Sequence, residues 1–129
     1  MVVSMCTVLV IDDEQPILNL LQLALTRCGY HVETAADGRE GIQKFDTEFI
    51  DIIITDVCVP GMDGREIARH VRSSRRKTTP IIAISGTPWL LESSEFDRVL
   101  AKPFPLKTLY DAVEHLAGRS AATTAVAAR

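Results

Sequence analysis

Five polar residues stand directly behind short apolar runs. Asp12 and Asp13 follow Thr7–Ile11, Asp56 follows residues 52–55, Ser85 follows residues 81–84, and Lys102 follows residues 99–101. Three carboxylates, a hydroxyl and an ammonium are the groups that can handle a phosphoryl unit. Clustered carboxylates repel one another and favour a hard divalent cation. Mg²⁺ takes one or two of them, keeps several waters and accepts phosphate oxygens. An ionised aspartate is already a nucleophile and needs no general base to attack phosphorus. A cation, a lysine and a hydroxyl donor can then stabilise the charge that spreads over the transferring oxygens.

That chemistry requires the five residues to meet, so the elements between them matter. Solid apolar runs of four or five residues suit strands buried on both faces of a parallel sheet. His31–Ala35 is a fifth strand candidate, more polar and therefore read as an edge. Ile17, Leu20, Leu21, Ala24, Leu25 and Cys28 recur at helical spacing, with Pro16 at the start and Gly29 past the end. Asp37-x-x-Glu40 and Asp63-x-x-Glu66 read as capping signals for two more helices. Leu106, Leu109, Tyr110, Val113, Leu116 and Ala117 form a last stripe, with Pro105 in front and Gly118 behind.

The alternation predicts a layered α/β fold with a five-stranded parallel sheet. Its carboxyl edge, where open sheets of this kind bind ligands, collects all five polar residues. The crossover from the fourth strand to the fifth has only the 12 residues 86–97. A whole crossover needs at least about 10–12 residues, so the fourth helix is expected to shrink to a stub at residues 88–94. Trp89, Leu90 and Leu91 on that stub read as core cover, with a partner contact as the rival reading.

The 129 residues allow one domain, placed at 1–118, with 119–129 as a flexible C-terminal tail. A 47% hydrophobic and 24% charged composition is that of a globular chain. The net charge of −3 argues against a dedicated nucleic-acid binder. No apolar run approaches the ~20 residues that cross a bilayer. The first residues lack a basic leader and run into Asp12-Asp13-Glu14, so no signal peptide is expected. Three widely spaced cysteines, Cys6, Cys28 and Cys58, fit reduced thiols in the cytoplasm. Arg72, Arg75, Arg76 and Lys77 read as a solvated helix end favoured by the macrodipole.

Taken in order, Val8 through Glu14, Asp37-Gly38, Asp51 through Asp56, Pro60-Gly61-Met62-Asp63-Gly64, Ile84-Ser85-Gly86 and Lys102-Pro103-Phe104 resemble the receiver domains of two-component response regulators. The resemblance extends over nearly the whole chain. It implies a doubly wound, flavodoxin-like sheet of strand order 2-1-3-4-5, with Asp56 as phosphoacceptor. It further implies that Asp12, Asp13, Asp56 and the backbone carbonyl of Cys58 hold Mg²⁺. Ser85 and Lys102 would contact the phosphoryl group, and the Lys102–Pro103 bond would be cis. The implied role is phosphorelay signalling, with a sensor histidine kinase or histidine phosphotransfer protein as donor and an unknown downstream protein as target. No nucleic acid, no membrane and no turnover enzyme activity are expected. No output domain is expected after Ala117.

Two features depart from the family on one face. The family usually has an aromatic residue three positions before the lysine, where this chain has Val99, and the crossover from Gly86 is short. Thr87, two residues beyond Ser85, belongs to the same departing region. A change of state would then pass through the loop beginning at Ser85. Rival readings are a degenerate receiver that binds without phosphorylation and a Mg²⁺ phosphatase with an aspartyl-phosphate intermediate. Cys58 sits where such phosphatases place a general-acid carboxylate, and it cannot serve in that way. A flavin-binding protein of the same fold would need a phosphate-cradling loop where Asp12-Asp13-Glu14 stand.

Overall fold

The structure, a computed structural model, describes residues 6–59, 61–88 and 95–127, with side chains described as far as Gly118. Five strands, β1 (Thr7–Ile11), β2 (His31–Ala35), β3 (Ile52–Asp56), β4 (Ile81–Ser85) and β5 (Arg98–Ala101), form one sheet of order β2-β1-β3-β4-β5, parallel throughout. The described helices are α1 (Gln15–Arg27), α2 (Gly38–Thr47), α3 (Gly64–Arg72) and α4 (Leu106–Ala127).

The sheet follows from the apolar runs. All five residues of β3 and of β4 are buried, whereas the edge strands β2 and β5 expose part of their length. Side chains alternate along each strand and serve two cores. Val8, Val10, Ile52, Ile54, Ile82 and Ile84 pack with Leu21 and Leu25 of α1 and Leu109, Val113 and Leu116 of α4. Leu9, Ile11, Ile53, Ile81 and Ala83 pack with Phe45 of α2 and Ile67, Ala68 and Val71 of α3. Each such buried aliphatic side chain contributes about 1.5–3 kcal/mol.

The helices begin where the sequence places them. Asp37 Oδ1 accepts from the Glu40 N–H at 2.8 Å, and Asp63 Oδ1 from the Glu66 N–H at 2.9 Å. Each bond satisfies one of the unpaired donors of a first turn. Gly29 closes α1 at φ +95°, a conformation that side chains strain to adopt. The three cysteines carry free thiols. Cys28 and Cys58 are exposed, and burial pushes the Cys6 thiol up to about 11.

Three expectations need revision or placing. Gly118 does not end the last helix, because α4 continues through it to Ala127. The apolar stripe stops at Ala117, but alanine, which recurs in the residues that follow, has the highest intrinsic helix propensity. The stub expected at residues 88–94, with Trp89, Leu90 and Leu91, falls almost wholly outside the described residues. In the basic cluster at the end of α3, Arg75 and Lys77 are exposed as a solvated helix end would have them, but Arg72 and Arg76 are not. Arg76 donates to Glu48 O at 2.8 Å and to Phe45 O, and its guanidinium lies 4.4 Å from the Phe45 ring centre. Arg72 bonds the carbonyls of Lys77, Thr79 and Glu95 and the carboxylate of Asp97 at 2.6–3.1 Å. Both arginines tie chain segments together, and their acceptors are mostly backbone oxygens.

Candidate functional site

The strand register brings the polar residues to one edge. Ile11 pairs with Thr55, Asp56 with Ile84 and Ser85 with Ala101, so β1, β3, β4 and β5 end in step. β3 runs one residue further than the sequence reading, which makes Asp56 its last residue, and Ser85 ends β4 behind its apolar run. The ladder then extends by one bond, as the Lys102 N–H donates to Ser85 O at 2.9 Å. Behind Asp56, the Gly64 N–H donates to Val57 O at 2.9 Å. A Cβ at Gly64 would lie 2.9 Å from Val57 Cα and 3.3 Å from Asp56 O, so only glycine lets α3 seat against this loop.

Asp56 is 8% exposed and holds two bonds. Its Oδ1 accepts from the Cys58 N–H at 2.9 Å, and its Oδ2 from Lys102 Nζ at 2.5 Å, across 46 residues of sequence. Asp12 is 1% exposed. Its Oδ1 accepts from the Glu14 N–H at 2.9 Å, while its Oδ2 is buried with no hydrogen-bond partner. Burial is the main reason that the Asp12 carboxyl lies above the ordinary aspartate range. The Glu14 N–H and Lys102 oppose the rise, and the charges of Asp56 and Glu14 add to it. Burial pulls Lys102 down, but its bond to Asp56 and the charges of Asp56, Asp12 and Glu14 outweigh that and leave it raised.

The other sequence candidates fall around this centre. Ser85 is buried at the end of β4, and its Oγ accepts from the Thr87 N–H at 3.0 Å. Thr87 and Cys58 are exposed, and Val99 is 37% exposed on β5. The Lys102–Pro103 bond is cis. Asp13 is exposed beside Asp12.

The carboxylates that the structure gathers are Asp12, Asp56 and Glu14, each offering an oxygen within 4.8 Å of the others. Asp13 is not in that group, and Glu14 was not picked out by the sequence reading. Glu14 is the N-cap residue of α1, two positions before Pro16, and its Oε1 lies 3.8 Å from Lys102 Nζ. The one sequence signal was its place as third acid in Asp12-Asp13-Glu14. A groove of about 470 Å³ opens beside the pair, walled by Glu14 and Lys102 and floored by Ile17, Leu21 and Phe104.

This donor set fits a divalent cation. A buried carboxylate oxygen without a partner is costly unless something satisfies it. Two further carboxylates face the same spot, and oxygen ligands of this kind suit Mg²⁺.

The model of the response regulator receiver domain family matches residues 8–114. The chain belongs to that family. The receiver is 41% identical over 93 residues to the alkaline phosphatase synthesis transcriptional regulatory protein PhoP of Bacillus subtilis, covering 72% of this chain and 36% of that protein. It is 33% identical over 115 residues to the response regulator ArlR of Staphylococcus aureus, covering 81% of this chain and 49% of that protein. The chain thus spans about one third to one half of the curated relatives it matches.

Solved structures match almost end to end. The response regulator TrrA of Thermotoga maritima, solved in complex with Mg(2+)-BeF, has a TM-score of 0.80 at 33% identity. The match covers 87% of this chain and 99% of that one. The chemotaxis response regulator CheY4 of Vibrio cholerae has a TM-score of 0.78 at 34% identity, covering 88% and 99%.

The flavodoxin-like fold with strand order 2-1-3-4-5 is therefore the family's, and the function is phosphorelay signalling. Receiver domains of response regulators interact with histidine kinases or phosphotransfer proteins. No described helix is long and apolar enough to cross a membrane.

Proposed function

We propose that this receiver accepts a phosphoryl group on Asp56 from a phosphohistidine donor and signals by a changed protein contact. The observation that carries the assignment is the Lys102 ammonium on Asp56 Oδ2 beside the unpartnered Oδ2 of Asp12. A nucleophile, a cation to meet the incoming charge and a vacant oxygen ligand lie together.

In the proposed step an Asp56 carboxylate oxygen attacks phosphorus, the new O–P bond forms, and the donor's N–P bond breaks. Lys102 releases Asp56 Oδ2 to pair with a phosphoryl oxygen. Ser85 Oγ, now accepting from the Thr87 N–H, keeps its own proton to donate to another. The Cys58 N–H keeps the Asp56 carboxylate oriented. Asp12, Asp56, the Cys58 carbonyl and Asp13 are the proposed holders of Mg²⁺. When bound, the ion supplies charge neutralisation between nucleophile and phosphoryl oxygens.

The domain is proposed to run over residues 1–118 and to work in the cytoplasm. It assists transfer to its own Asp56 and does not turn over substrate. The phosphatase alternative lacks an acid at Cys58. The degenerate-module alternative sits poorly with a filled set of pocket residues.

The test is incubation with Mg²⁺ and a small acyl phosphate, followed by intact-mass measurement. One added phosphoryl group on the wild type and none on Asp56→Asn is expected. No uptake from either an acyl phosphate or a phosphohistidine donor would overturn the proposal, as would many turnovers per chain per second.

A further inference from the structure

We infer that Glu14 is a working part of the pocket, a further carboxylate for the divalent cation, held in the free protein by Lys102. The inference rests on the phosphoryl-pocket reading and adds a residue to it. Glu14, Asp12 and Asp56 place one oxygen each within 4.8 Å of the others. Independently, Asp12 is almost wholly buried and its Oδ2 is an acceptor that no described protein group satisfies. Glu14 has its backbone fixed there, since its N–H is bonded to Asp12 Oδ1. Its carboxylate is not used in capping, because Glu14 starts α1 without a side-chain hydrogen bond to the helix.

Lys102 gives the arrangement its second role. Its ammonium sits 2.5 Å from Asp56 and 3.8 Å from Glu14, spanning two of the three acids. Lysine and a divalent cation therefore compete for the same oxygens. A glutamate with a side chain 62% exposed can swing between them at little cost, unlike the buried aspartates. Glu14 raises the affinity for the cation and keeps Lys102 over the pocket when the cation is absent.

The experiment is calorimetric titration of the full chain with Mg²⁺, using wild type, Glu14→Gln, Asp56→Asn and Asp111→Asn, the last an exposed acid on α4. Glu14→Gln is expected to weaken binding roughly 3- to 10-fold, the low end reflecting solvent screening. Asp111→Asn is expected to bind like wild type. Circular dichroism without Mg²⁺ checks that each variant is folded. Wild-type affinity in Glu14→Gln, or an equal loss in Asp111→Asn, overturns the inference. If Asp56→Asn alone loses the ion, the pocket reading stands without Glu14. If the wild type binds no Mg²⁺, both readings fall.

Discussion

Two charged clusters sit at opposite ends of the crossover that joins β4 to β5. At its start, beside Ser85, the pocket holds Asp12, Glu14, Asp56 and Lys102, and one buried oxygen of Asp12 has nothing to bond. At its end, Arg72 holds Asp97 and three backbone carbonyls. The same Asp97 carboxylate also accepts from the Ile81 N–H at 2.8 Å. The first cluster is left incomplete and the second is saturated. A saturated cluster holds structure together; an incomplete one costs stability and keeps a place for a ligand.

The comparison is broken most severely by Asp56→Asn, which is expected to take phosphoryl uptake from one group per chain to none while leaving the Arg72 cluster folded. Intact mass and circular dichroism read the two halves. Next in size, Arg72→Ala is expected to lower stability by about 2–4 kcal/mol, since several part-buried carbonyls and Asp97 lose their donor together. Urea unfolding measures it, and a loss below ~1 kcal/mol would mean that the cluster does not hold the crossover.

Asp12→Asn should have the opposite sign. It removes the charge from a buried oxygen and keeps the acceptor for the Glu14 N–H, so stability without Mg²⁺ is expected to rise by about 1 kcal/mol. The Mg²⁺-dependent shift in melting temperature should disappear. A fall in the urea midpoint would show that the pocket carries no such cost.

The pH dependence sharpens this. The Asp12 carboxyl is raised in the folded chain, chiefly by burial, so its contribution is full below the unfolded value of 3.8 and is lost as pH rises through the folded one. The advantage of Asp12→Asn should therefore be largest near neutral pH and shrink on acidification toward about pH 4. Matched urea curves at the two pH values check it. The smallest effect is expected at Lys107, whose partner Asp111 is also exposed. Lys107→Ala should leave the urea midpoint unchanged.

What the sequence revealed follows the same division. Strands were legible because runs such as Ile52 to Ile54 are apolar on both faces, and helix starts because Asp37 and Asp63 announce their own caps. Asp12, Asp56, Ser85 and Lys102 were legible because each directly follows or ends a strand. Glu14 was not, because its approach to Lys102 joins the start of α1 to the end of β5, and no spacing encodes that. Arg72 and Arg76 were misread for a related reason. Their partners are mostly carbonyl oxygens, which every residue carries and no letter marks. Gly118 misled because a local stop signal was outweighed by the alanines behind it.

The lockstep pairing of the strands sets where the chain tolerates insertions. One residue added inside β3 would carry Asp56 about 3.3 Å along its strand and turn every following side chain to the opposite face. Residues added to the connections at the far, amino-terminal edge would leave the pairing untouched. Length variation among functional versions of this chain should therefore collect at that edge, with none inside the strands.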